Sequence, residues 1–290
     1  MMGSNSLVVH GSVVKYEKES TKSIQDLMAR EEPLQIRLEF EKSGRWHKKD
    51  LLVTMRSPGA DFDLASGFLY SEGIIRKETD ILLMRYCRQV KEEEKGNVLL
   101  VRLAPNPDMD LLGLDRNFYT HSSCGVCGKT AIEAVKCKAA SLSEDPEWQV
   151  DPETLMSLSG KLYEHQTGFK YTGGLHAAVL YDATGKMELI REDVGRHNAL
   201  DKLIGGALRE NIPVHHRKMV LLSGRVSFEM VQKSVTAGIP LLMAFGAPTS
   251  LAVDLARDKK MTLIGFLKND GFNVYTGQER IKQWVKKSLK

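Results

Sequence analysis

Two cysteines three residues apart carry the clearest chemical signal in this chain. They lie in His121-Ser122-Ser123-Cys124-Gly125-Val126-Cys127-Gly128-Lys129. Serine and glycine surround them, and a helical pattern follows, with Ala131, Ile132, Ala134, Val135 and Ala139 as its apolar positions. A loop at a helix N-terminus favours thiolate over thiol, because backbone N–H groups and the positive end of the helix dipole face it. Lys129 adds a cation. A thiolate attacks sulfur or binds a metal, so this segment is the expected centre of the chemistry.

The pair alone leaves three readings open. A structural zinc site needs two more ligands; Cys87, Cys137, His121 and His176 could supply them, but they form no second paired knuckle. A thioredoxin-like dithiol follows the first strand of a compact βαβ unit, whereas this pair follows a break at Pro105 and Pro107. The third reading is that the spacing is accidental. Cys87, in a strand pattern, and Cys137, about three turns into the helix after the pair, read as packed thiols.

A second dense segment is Arg191-Glu192-Asp193-Val194-Gly195-Arg196-His197-Asn198. A charged turn with Asn198 capping a helix would account for part of it. The mixture of acids, arginines, histidine and glycine suggests more. His197 could donate a proton or partner a cap. Thr172-Gly173-Gly174-Leu175-His176 places two glycines before an apolar strand, as a tight turn or a close approach to the cysteine loop or a ligand.

The elements that must position these residues fall into two parts. The first dozen residues read as loosely ordered. Residues 32–40 alternate apolar and polar, as a half-buried strand does, and 51–55 read as its hairpin partner across a turn at Gly44. Residues 61–70 read as a short helix ending near Gly73. Strands follow at 81–90 and 98–103, around a charged turn at 91–97. Residues 1–110 are therefore expected to form a smaller β-rich subdomain, and 111–290 an α/β domain. In the latter, strands at 175–181, 186–191, 218–222, 240–245 and 261–267 alternate with helices at 198–208, 228–237 and 250–257, the last capped by Thr249 or Ser250. That rhythm implies βαβ units and a mostly parallel sheet.

Ligands of such sheets bind beyond the carboxyl ends of the strands. Ser223-Gly224-Arg225, Gly246-Ala247-Pro248-Thr249, Lys268-Asn269-Asp270-Gly271 and the segment at 191–198 leave strands there. They are rich in glycine and cations, and Arg196 and Arg225 can grip phosphate oxygens bidentately. A phosphate-bearing, nucleotide-like ligand follows, without a P-loop or dinucleotide fingerprint.

Composition sets the limits. The 290 residues are 42% hydrophobic and 27% charged, with net charge +4, ordinary for a globular protein. Lysine and arginine are interspersed with acids, so nucleic acid is not indicated. No apolar run reaches membrane-spanning length, and the first residues do not read as a signal peptide. Four cysteines make no disulfide framework, which points to reduced thiols and the cytoplasm.

Together, Ser122-Ser123-Cys124-Gly125-Val126-Cys127-Gly128, Thr172-Gly173-Gly174-Leu175-His176-Ala177-Ala178, the whole of 191–202 and Ala247-Pro248-Thr249 resemble the FdhD family, the formate dehydrogenase accessory sulfurtransferases. Gly67-Phe68-Leu69-Tyr70-Ser71-Glu72-Gly73 and Ser223-Gly224-Arg225 match as well, and the resemblance runs from about residue 10 to near the end. It implies transfer of sulfur from a cysteine desulfurase to the bis-molybdopterin guanine dinucleotide cofactor, with molybdenum or tungsten, for formate dehydrogenase. Cys124 would carry the persulfide, with Cys127 as its partner. The cofactor segment would fall on Phe266-Leu267-Lys268-Asn269-Asp270-Gly271, with Arg196, His197 and Arg225 nearby, and a GDP-like nucleotide would fit the same place. Lys268 keeps a positive charge but lacks arginine's bidentate geometry. The resemblance also implies a homodimer, no resident metal, and a cytidine-deaminase-like three-layer α/β/α domain beside the smaller one. Zinc deamination does not follow, because His176-Ala177-Ala178 lacks the glutamate and comes after the cysteines. The competing class is a non-catalytic cofactor carrier whose cysteine pair is structural or binds metal.

Overall fold

The computed structural model describes residues 7–105, 139–142 and 145–283. Cys124, Cys127, Cys137 and His121 lie outside the described residues.

The chain opens on a long hairpin, β1 (Val8–Glu17) and β2 (Ser20–Ala29), which joins neither of the other sheets. The expectation of a loosely ordered start is corrected from residue 7 onward. Val8, Val13, Ile24 and Leu27 supply the β-forming side chains, but the polar residues between them blur the alternation.

β3 (Glu32–Lys42) and β4 (Arg45–Arg56) form the expected hairpin. Ser43 and Gly44 both adopt positive φ at its turn, the geometry that matches strand twist in a two-residue loop. With β5 (Ile81–Tyr86) and β6 (Val98–Leu103) they make a four-stranded sheet in the order β4-β3-β6-β5. The expected strand at 81–90 ends at Tyr86. Leu34, Ile36, Leu38 and Phe40 share one face of β3 by the period-two rule, and they pack with Leu99, Val101 and Leu103 against Leu64, Ala65 and Leu69 of α1 (Asp61–Ser71).

The second sheet has six strands in the order β12-β11-β10-β9-β7-β8. They are β7 (His176–Tyr181), β8 (Met187–Asp193), β9 (Met219–Leu222), β10 (Leu241–Ala244), β11 (Thr262–Lys268) and β12 (Gly271–Thr276). Only β9, β10 and β11 run parallel to one another; β7 pairs antiparallel with both β8 and β9, and β12 antiparallel with β11. The sheet is thus mixed rather than mostly parallel. β7 and β8 are joined by a tight turn at 182–186, which can only produce an antiparallel pair.

Helices cover both faces. α4 (Arg196–Arg209), α5 (Phe228–Thr236) and α6 (Ser250–Asp258) bury one face through Leu200, Leu203, Met230, Val231, Ala252 and Ala256. The other face lies under Leu155, Leu158 and Leu162 of α2 (Pro152–His165). Asp151 caps α2 by accepting from the Glu153 amide at 3.0 Å, and Pro152 opens it. A short helix, α3 (Thr167–Thr172), leads to Gly173, whose φ of +65° ends it before β7.

The two sheets are joined by the crossing of α1 and α4. A Cβ on Gly67 would lie 1.8 Å from the Asp201 carbonyl oxygen, and one on Gly205 would lie 1.9 Å from that of Asp63. The helices meet backbone to backbone, which only glycine at both positions permits.

Candidate functional site

The loops singled out in the sequence gather at one edge of the six-stranded sheet. β9, β10 and β11 are parallel and end there at Leu222, Ala244 and Lys268. β8 also ends there at Asp193, and β7 begins there at His176, because β7 is antiparallel to both β8 and β9. The N-termini of α4, α5 and α6 open onto the same edge, each following a strand that ends there. Thr249 caps α6, accepting from the Ala252 amide at 3.3 Å.

The charged segment 191–202 divides into two groups of different use. The larger group joins the β-rich part to the sheet. Arg191 donates to Asp63 at 2.8 Å and to Glu210 at 2.6 Å. Asp193, wholly buried, accepts from the Ser57 amide at 3.1 Å and from Gly195 at 2.8 Å, and pairs with buried Lys202 at 2.6 Å. Lys202 also donates to the Ser57 carbonyl at 2.8 Å. Asn198 donates to the Met55 carbonyl at 2.7 Å. It does not cap the helix, which begins two residues earlier at Arg196 with Gly195 as its cap residue. Asp201 receives Lys233 at 2.9 Å on both oxygens and Ser71 at 3.1 Å. Glu192 accepts the Gly168 and Phe169 amides at 2.9 and 3.0 Å, satisfying the start of α3.

Arg196 and His197 form the other group. The Arg196 Nε is buried and has no hydrogen-bond partner among the described residues. A buried guanidinium nitrogen left unpaired is costly, and an incoming anion would satisfy it. His197 Nε2 lies 3.2 Å from Ser227 Oγ and 3.2 Å from Glu229 Oε2, at the start of α5. Glu229 can orient the imidazole.

His176 and Ser223 lie beside them. Ser223 Oγ accepts the Ala177 amide at 2.9 Å and stands 3.3 Å from His176 Nδ1, so its own proton can point to the histidine. Burial holds the His176 pKa below its ordinary value, helped by the charges of Arg196 and His197. Sequence reading places His176 among zinc candidates and in the two-glycine segment, but not beside Arg196; that nearness comes from β7 and β8 pairing, which spacing does not reveal.

Glycines keep the floor of this edge low. A Cβ at Gly224 would lie 3.3 Å from His176 Nδ1, and one at Gly246 would lie 2.9 Å from Arg225 Cα. Arg225, Lys268, Asn269 and Asp270 are exposed along the rim. Leu267 is buried in the core under α2, so only its backbone reaches the edge. Asn269 Oδ1 accepts from Ser159 of α2. Phe266 is exposed and has φ of +53° within a β-bulge of β11, a strained conformation of the kind that clusters at functional sites. Cations, an orphaned guanidinium nitrogen and glycine floors fit a phosphate-bearing ligand.

The FdhD/NarQ family profile matches residues 29–282. The chain belongs to the FdhD/NarQ family. It is 46% identical over 259 residues to the sulfur carrier protein FdhD of Streptomyces avermitilis, covering 88% of this chain and 89% of that one. The corresponding protein of Mycolicibacterium paratuberculosis is 47% identical, covering 87% and 90%. That of Sulfurisphaera tokodaii is 39% identical, covering 93% and 97%. The fold is similar to the crystal structure of a candidate formate dehydrogenase accessory protein from Desulfotalea psychrophila, with a TM-score of 0.73 and 23% identity, covering 96% of this chain and all of that one. The chain is thus a mixed α/β protein with several sheets, in keeping with its family. Among the described residues, no helix is long and apolar enough to cross a membrane.

Proposed function

We propose that this protein is a sulfurtransferase that passes persulfide sulfur from a cysteine desulfurase to the bis-molybdopterin guanine dinucleotide cofactor, in support of formate dehydrogenase. Near full-length similarity to sulfur carrier proteins, in a chain that has Cys124 and Cys127 in a Gly- and Ser-rich segment, carries the reading. The cationic strand-end edge supports it, since the cofactor is a polyanion. The protein acts in the cytoplasm as a homodimer, with the desulfurase and formate dehydrogenase as partners.

The Cys124 thiolate attacks the terminal sulfur of the donor persulfide. The donor S–S bond breaks, its cysteine leaves as thiolate, and Cys124 gains the persulfide with no net redox change. The Cys127 thiolate then attacks Cys124 Sγ. A Cys124–Cys127 disulfide forms, and the outer sulfur leaves reduced to the sulfide level, available to the metal of the bound substrate. Arg196, Arg225, Lys268 and the helix N-termini hold the substrate's phosphates, while Phe266, Leu267, Asn269, Asp270 and Gly271 line its rim and His197 supplies a proton-transfer group.

The test is the intact mass after incubation with a cysteine desulfurase and cysteine. A gain of one sulfur, mapped to Cys124, removed by reductant and absent in Cys124→Ala, is expected. No gain, with a metal retained by the cysteine pair, would replace this reading with that of a non-catalytic carrier.

A further inference from the structure

Phosphate binding leaves the aromatic side chains of the strand-end edge unused. Phe245 follows β10 directly, and its amide donates to the Leu222 carbonyl at 3.1 Å. Its ring stacks on that of Tyr163 from α2, with centroids 5.5 Å apart and planes 20° from parallel. Tyr163 is nevertheless 57% exposed. A single exposed aromatic ring needs no explanation. Three features set this one apart.

The ring is held in place. Ser159, one turn earlier on the same side of α2, hydrogen-bonds to Asn269 in the β11–β12 turn, fixing the helix to the edge. The stack is also continuous with the cationic rim. Gly246, next to Phe245, packs so closely on Arg225 that a Cβ there would be 2.9 Å from Arg225 Cα and Cγ. Finally, the amide of the strained and exposed Phe266 donates to the Gly246 carbonyl at 3.4 Å. One short loop therefore links the Tyr163–Phe245 stack, the Arg225 cation and the Phe266 bulge.

We infer that the Tyr163 ring, held against Phe245, is a stacking platform for the planar base of a nucleotide bound at this edge. The inference rests on the phosphate-binding reading given under Proposed function and adds the group that receives the base. A preformed aromatic stack has already lost its rotational freedom, so a third ring adds contact area at little further ordering cost. Stacking also tolerates variation in hydrogen-bonding edges, because every base has a π-face.

The experiment is equilibrium binding of GDP and, separately, of inorganic pyrophosphate to the full chain and to Tyr163→Ala and Tyr163→Phe. Tyr163→Ala is expected to weaken GDP roughly fivefold to a hundredfold while leaving pyrophosphate unchanged. Tyr163→Phe, which keeps the ring, should bind GDP as the parent does. Unchanged GDP affinity in Tyr163→Ala overturns the inference alone. Equal losses of GDP and pyrophosphate also overturn it, because they would mark a structural role. A parent chain that binds neither probe overturns the phosphate-site reading, and the platform with it.

Discussion

Lys202 Nζ lies 2.6 Å from Asp193 Oδ2, with both side chains sealed from solvent, and each also bonds the backbone of Ser57. Ser57 belongs to the connection between β4 and α1, whereas Asp193 ends β8 and Lys202 lies in α4. The pair thus fixes the β-rich part to the sheet edge that carries Arg196. Removing one member of a buried pair strands the other charge, at a cost of about 3–5 kcal/mol. Lys202→Met is expected to lose stability in that range in urea unfolding. A loss below about 1 kcal/mol would show that the pair does not hold this junction.

The Gly67–Gly205 crossing predicts opposite outcomes for two alanine substitutions. Alanine is favoured over glycine within a helix by about 1 kcal/mol. At Gly160 of α2 a Cβ would meet only Asn269 Oδ1 at 3.6 Å, an ordinary contact. Gly160→Ala should therefore stabilise slightly. At Gly205 the Cβ would collide with the Asp63 carbonyl, so α1 and α4 must separate. Gly205→Ala should cost about 2 kcal/mol or more net. Thermal unfolding of the two variants decides the matter, and equal midpoints would contradict the crossing geometry.

Local patterns were legible in the sequence where one face is buried and the other wet. β3, with Leu34, Ile36, Leu38 and Phe40 on one face, and the Thr249 cap of α6 are examples. α2 was overlooked, although Asp151-Pro152 and the spacing of Leu155, Leu158 and Leu162 announce it. Strand direction was not legible, because a buried strand shows the same apolar run in either orientation. Nor could the segment 191–202 be parsed. Arg191, Asp193, Asn198 and Lys202 look as chemical as Arg196 and His197, and only partners far along the chain, Asp63, Met55 and Ser57, show them to be structural.

His176 should titrate in response to its neighbour. Burial, then the charge of Arg196, holds its folded pKa below the ordinary value. As pH falls through about 6.5 the unfolded chain takes up the proton first. Stability from this group is therefore full above that pH and declines as pH drops toward the folded pKa. In Arg196→Ala one source of repulsion is gone, so the His176 resonance should titrate at higher pH than in the parent. NMR of the histidine ring protons measures this directly. An unmoved titration would place the Arg196 charge too far away to matter.

The two arginines of the edge should not contribute equally to phosphate binding. Arg196 presents a buried Nε with no partner among the described residues, whereas Arg225 is exposed on the rim. A charge-assisted hydrogen bond made away from water contributes about 1.5–3 kcal/mol, while an exposed ion pair contributes at most about 1. Arg196→Ala is expected to weaken pyrophosphate binding by more than tenfold, and Arg225→Ala by less than about fivefold. Added salt should reduce the Arg225 effect more, since exposed charges are screened and buried ones much less so. If instead Arg225→Ala proved the more damaging, the anion would sit out on the rim. The unpaired Arg196 nitrogen would then be a cost that the fold carries without a ligand to relieve it.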